Sequence, residues 1–150
     1  MGMRNDSMED IRQKLTALPE GLAEKNIKSW EYVVLNYKNI IENNEPVNQG
    51  LLPVFKLAKR ISTSEQAKLF RAGTSLYSLL ISTAEKHGLK DGEPFIAIDT
   101  WRSRSPKVEY WQGNNRVAES ALCDSADSLA MALQPFLERL WSETRDKENT

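Results

Sequence analysis

The sequence predicts an α+β domain: N-terminal helices, a three-stranded antiparallel meander, and a C-terminal helix packed on the sheet. Three observations lead there. Apolar residues recur at spacings of three and four before residue 70; from residue 94 to 123 the pattern becomes strand-like and is broken by turn residues; helical spacing returns after Asp124. Helices segregated from an antiparallel sheet define the α+β class.

The first helix is expected to open at Ser7, with Glu9 and Asp10 in its first turn. Ile11, Leu15 and Leu18 form its apolar face and Pro19 stops it. The strongest periodic signal runs from Asn26 to Asn43. Ile27, Trp30, Val33, Val34, Tyr37, Ile40 and Ile41 make one continuous stripe, with Lys28, Glu31, Lys38 and Glu42 opposite. Glu45-Pro46 ends that helix. A third helix is predicted from Pro53 to Ile61, and Ser62-Thr63-Ser64-Glu65 reads as the cap of a short helical piece reaching Leu69.

Ser75 to His87 is ambiguous. Leu76, Leu79, Leu80 and Thr83 suit a helix with His87-Gly88-Leu89 as its exit, whereas Leu79-Leu80-Ile81 also suits a buried strand. The helical reading is preferred. Strands are then expected over Phe95–Trp101, Lys107–Trp111 and Arg116–Cys123, with Gly113-Asn114-Asn115 supplying the positive φ of a hairpin turn. Asp124 and Asp127 mark the start of the last helix, near residues 125–143, in which Pro135 predicts a kink. Residues 1–6 and 144–150 are polar and aperiodic and are expected to fray.

A chain of 150 residues fits a single domain, 1–150. Its net charge of −1 creates no overall attraction to nucleic acid or an anionic membrane. The charge is uneven, however: residues 102–116 carry +3, between stretches of −2 (75–101) and −4 (117–150). With one cysteine, Cys123, no intramolecular disulfide can form, and thiolate metal clusters are excluded. No secretory signal, myristoylation signal or membrane-spanning apolar run is present, so a cytoplasmic protein without membrane attachment is expected.

Catalytic, metal-binding and cofactor chemistry finds little support. The only histidine, His87, would sit at a helix exit, where the helix dipole explains it. Cys123 reads as a small buried filler. Arg71-Ala72-Gly73-Thr74-Ser75 lacks the glycines and lysine of a phosphate loop, although a helix starting at Thr74-Ser75 could hold a phosphate beside Arg71. Asp99, Glu109 and Glu119, on three successive strands, leave a carboxylate-dependent hydrolase as an alternative. No cofactor, catalytic residue or metal ligand is assigned.

The most suggestive constellation is the hairpin region Trp101, Arg102, Arg104, Lys107, Tyr110, Trp111 and Arg116. Arginine and large aromatics are what protein-interface hot spots favour. The function expected is therefore non-enzymatic binding of another protein, or of a second copy of the chain, in the manner of an adaptor, inhibitor or immunity-type domain. Single-stranded nucleic acid could use the same basic and aromatic groups, but four basic residues between acidic stretches make it the weaker alternative.

Overall fold

The computed structural model of the chain describes residues 2–43, 51–75, 77–85, 92–99 and 105–146. Four helices come first: α1 (Gly2–Thr16), α2 (Leu22–Asn43), α3 (Leu51–Ser62) and α4 (Gln66–Leu69). Five strands follow, β1 (Arg71–Ser75), β2 (Ser78–Ser82), β3 (Pro94–Asp99), β4 (Lys107–Gln112) and β5 (Asn115–Glu119). Helix α5 (Ala126–Trp141) ends in a π-helical turn, Ser142–Asp146. The α+β class and the closing helix are as expected. The sheet is larger: one antiparallel meander in the order β1-β2-β3-β4-β5.

The two additional strands replace the helix expected between Ser75 and His87. β1 and β2 form a hairpin with Ser75 opposite Ser78 and Arg71 opposite Ser82. Leu79 and Ile81 point into the core with Leu80 between them on the other face, so the segment has the two-residue period of a strand. An apolar residue on both faces hides that period in the sequence. Thr74 and Ser75 thus lie on a strand, so the helix N-terminus imagined there for a phosphate does not exist. His87, Gly88 and Leu89 lie outside the described residues.

Smaller departures have local causes. α1 already begins at Gly2, so Ser7 is inside it, and the π-helical turn carries helical structure through Asp146 where fraying was expected. α4 has Glu65 as its N-cap without a side-chain bond, since Ser64 Oγ donates backwards to Ile61 O at 2.8 Å. The last strand ends at Glu119 rather than Cys123, because Ser120 Oγ takes over by accepting from Val108 N at 2.9 Å. The cap of α5 is Ser125: its side chain accepts from Ser128 N, and the Ser128 side chain accepts from Ser125 N in return.

One core runs through the molecule. The α2 stripe of Trp30, Val33 and Tyr37 and α5 residues Leu129, Leu133, Leu137 and Leu140 meet one sheet face, and α3, with Val54, Leu57 and Ile61 in the same core, packs against both helices. That inner face presents Leu79, Ile81, Ile96, Ile98, Val108 and Tyr110, all fully buried. α2 also ties down β1 and the segment leading into it with polar groups. Ser29 Oγ accepts from Ala72 N (2.9 Å), Trp30 Nε1 donates to Phe70 O (2.8 Å), and Asn26 Nδ2 donates to Lys68 O (2.8 Å). Tyr37 Oη, its pKa pushed up by burial, remains protonated and donates to Tyr77 O.

The opposite edge carries a bulge. Tyr110 pairs with Ala118 but Trp111 pairs with Arg116, leaving Val117 as an extra residue in β5. The β4–β5 turn holds Gly113 at φ +61°. A Cβ there would meet Gly92 Cα at 3.1 Å.

The π-helical turn is tied to the sheet by Glu143. Its carboxylate accepts from Tyr110 Oη (2.7 Å), Gln112 Nε2 (3.2 Å) and Arg139 Nε (3.0 Å). Partial burial pushes its pKa up, but these bonds and the Arg139 charge outweigh that and hold it below the usual carboxylate range.

Two predictions follow from this framework. Gly113→Ala combines a left-handed φ with the Gly92 contact, so a loss of more than about 1 kcal/mol is expected in urea unfolding. A cost near zero would show that the turn relaxes freely. Glu143, with its folded pKa depressed, adds stability above the unfolded-state value, and that stability disappears as pH falls through the folded pKa. Unfolding measured from pH 7 to pH 3 should therefore lose more stability in wild type than in Glu143→Gln. Identical slopes would remove Glu143 from the account of acid sensitivity.

Candidate functional site: a trough on the outer sheet face

Alternation along the strands turns a second set of side chains away from the helices. The registers arrange them in three rows across the sheet. The first row is Arg71, Ser82, Phe95, Trp111 and Arg116. The second is Gly73, Leu80, Ala97, Glu109 and Glu119, and the third is Ser75, Ser78, Asp99 and Lys107. Gly73 and Ala97 are small, so the middle row is low between taller neighbours. The result is a trough of about 470 Å³ lined by Ser75, Ser78, Leu80, Phe95, Ala97, Asp99, Glu109, Trp111, Gly113 and Asn114. That volume falls within the range of small-ligand and side-chain pockets.

Its aromatic wall is held in place from below and from the side. Phe95 and Trp111 are direct cross-strand partners, and their rings are nearly parallel (7°) with centroids 6.1 Å apart. Trp111 Nε1 donates to Glu109 Oε1 (3.1 Å), and Arg116 Nη1 donates to Glu109 Oε2 (3.1 Å). Glu109, although charged, is only 6% exposed, and both of its oxygens are occupied in this way. On the far side Ser78 Oγ donates to Asp99 Oδ1 at 3.3 Å.

Two cations of this face, Lys107 and Arg116, are committed to carboxylates. Lys107 pairs with Glu119, and Arg116 reaches both Glu109 and Glu119, the latter at 3.2 Å. The Lys107 hydrogen bond, opposed by slight desolvation and aided by the Arg116 and Lys107 charges, lowers the pKa of Glu119. A hydrolase acid needs a shift in the opposite direction.

Of the residues singled out in the sequence, Lys107, Trp111 and Arg116 share this face. Trp101, Arg102 and Arg104 lie outside the described residues. Tyr110 does not belong to the group, because it alternates with Trp111 and is fully buried on the inner face. There its ring stacks on Phe136 (6.1 Å) beneath the Arg139 guanidinium, 4.4 Å from the ring centroid. Its pKa is pushed up, first by burial and then by Glu143, which suits its role as a donor.

Sequence reasoning missed Leu80, Phe95, Ala97 and Gly73. Phe95 was legible in principle, since a hairpin turn at Gly113 and alternation through Ile96 and Ile98 place it beside Trp111. Among the described residues, no group of three or more His, Cys, Asp or Glu side chains could hold a metal ion, and no helix is long and apolar enough to cross a membrane.

Arg116→Leu should release the chain of bonds that orients Trp111. A red-shifted, more quenchable Trp111 emission is expected, measured in a background with the other three tryptophans replaced by Phe. Unchanged emission would mean that Phe95 stacking alone holds the indole.

Comparison with protein-family models, with curated proteins and with solved structures found no match to the chain.

Proposed function

We propose that the chain is a protein-binding module, of the adaptor, inhibitor or immunity type, that docks through the outer face of its sheet. The observation that carries this reading is the aromatic trough on the face turned away from the helices. Trp111 and Arg116 are residue types that anchor interfaces, and here they stand beside a concavity able to take a partner's side chain. The wall is preorganised by Glu109, which reduces the rotamer freedom lost on binding.

A single-stranded nucleic acid is the second reading, favoured by the stacked Phe95 and Trp111 on an open antiparallel sheet. It ranks lower because Lys107 and Arg116 already neutralise carboxylates on the same face, so neutralising phosphates would mean breaking ion pairs. The hydrolase alternative is not adopted, since Glu119 is shifted the wrong way and Glu109 has both oxygens engaged.

The test is affinity capture from the native cell with wild type, Trp111→Ala, Ala97→Leu and the helix-side control Tyr32→Ala, read by quantitative mass spectrometry. A protein retained by wild type and the control but lost by both trough variants is expected. For the recovered partner, Trp111→Ala should weaken binding by about 2 kcal/mol, or roughly thirty-fold. Retention independent of the trough variants overturns the reading. Tight oligonucleotide binding whose affinity falls with salt, with a slope of about −0.7 per phosphate, would replace it with the second.

A further inference from the structure

We infer that the seam between α4 and α5 is a helix-binding groove, filled within the chain by α1, and that it accepts in place of α1 an amphipathic helix of a partner protein built on the same pattern. This is a second interaction surface, on the helical side of the sheet and independent of the trough. The seam presents Gln66, Leu69, Phe70, Gln134, Leu137 and Glu138 to α1. Phe70 also meets Trp141 edge to face, with ring centroids 6.0 Å apart. What the seam takes is shown by α1 itself. Ile11, Leu15 and, just past the helix end, Leu18 form one apolar stripe packed against the core. Between them Lys14 holds its ammonium 5.5 Å from the centroid of the Trp141 ring, steadied by Asp10 of the same helix at 2.8 Å. An apolar stripe with one cation over an indole is therefore the chemistry that a competing helix needs.

The hold on α1 is weak enough for exchange. Helices α2, α3 and α5 each send several residues to full burial. Among residues 9–18 none is fully buried, and Ile11, Leu15 and Leu18 are only partly covered. A gap of about 60 Å³ remains between α1 and the seam, room enough for water. An element attached by so few buried contacts opens locally at a fraction of the cost of global unfolding. Once released, a helix of 15 residues is marginal by itself in water, so α1 loses its helical order as it leaves. A partner helix that is already formed has no such ordering cost to meet.

The probe is a synthetic peptide of residues 7–18, titrated into isotopically labelled full-length chain carrying Ile11→Asp and Leu15→Asp, so that its own α1 no longer fills the seam. Saturable NMR shifts are expected at the Trp141 indole N–H and at the Leu69 and Leu137 amides. Wild type should bind the peptide at least about ten-fold more weakly, because its own α1 competes at an effective concentration on the order of millimolar. A peptide with Lys14→Gln should bind about two- to five-fold more weakly than the unaltered one. A peptide with Ile11→Asp and Leu15→Asp should not bind. In wild type without peptide, α1 amides should exchange with solvent at least about 100-fold faster than those of α2.

Absence of shifts in the double variant, equal binding by wild type, or α1 amides as protected as those of α2 would overturn the inference. Loss of α2 and α5 protection in the double variant would overturn it too, since α1 would then belong to the core. Trp111→Ala should leave peptide binding unchanged. Dependence on Trp111 would place the peptide in the trough and remove the seam as its site.

Discussion

The architecture depends on how α2 closes one side of the sheet. A strand edge exposes backbone groups that must find partners, and at the β1 edge and the segment leading into it side chains of α2 supply three of them. Ser29, Trp30 and Asn26 lie within five residues on α2 and satisfy Ala72, Phe70 and Lys68 in turn. The same helix sends Trp30, Val33 and Tyr37 into the core. A single element therefore sets both the lateral limit of the sheet and the face that is filled. With the helices gathered on that face, the opposite one is left to display the trough.

That outer face is stabilised by chemistry unlike the core's. Inside, Leu, Ile and Val exclude water across well-packed strands and helices. Outside, an ion-paired set of Arg116, Glu109, Glu119 and Lys107 surrounds a small aromatic wall. Exposed ion pairs contribute little to stability. Their value here is orientation, because Arg116 fixes Glu109, and Glu109 fixes the plane of the Trp111 indole.

The legible parts of the fold were those whose two faces differ. α2 could be read from its stripe, and β4 from its place after Ser105-Pro106 and before Gly113. The β1–β2 hairpin was not legible, because Leu80 is apolar on the face where a one-sided sheet would carry a polar residue. Leu80 also lines the trough, so the residue that disguised the strand belongs to the surface now of most interest. Trp111 and Arg116 could be chosen from residue type alone, but Tyr110 could not be separated from Trp111 without the register. Gly73 and Ala97 give no signal in sequence, since their contribution is the absence of bulk.

The bulge at Val117 has a consequence for self-assembly. β5 is the sheet's other edge, and an evenly spaced edge strand invites a neighbouring molecule to continue the ladder indefinitely. The extra residue breaks the spacing of free backbone groups, and Arg116 and Glu119 place charges on either side of it. At the β1 margin α2 packs along the strand and Ser29 takes up Ala72 N, so continuation of the ladder is opposed on that side as well.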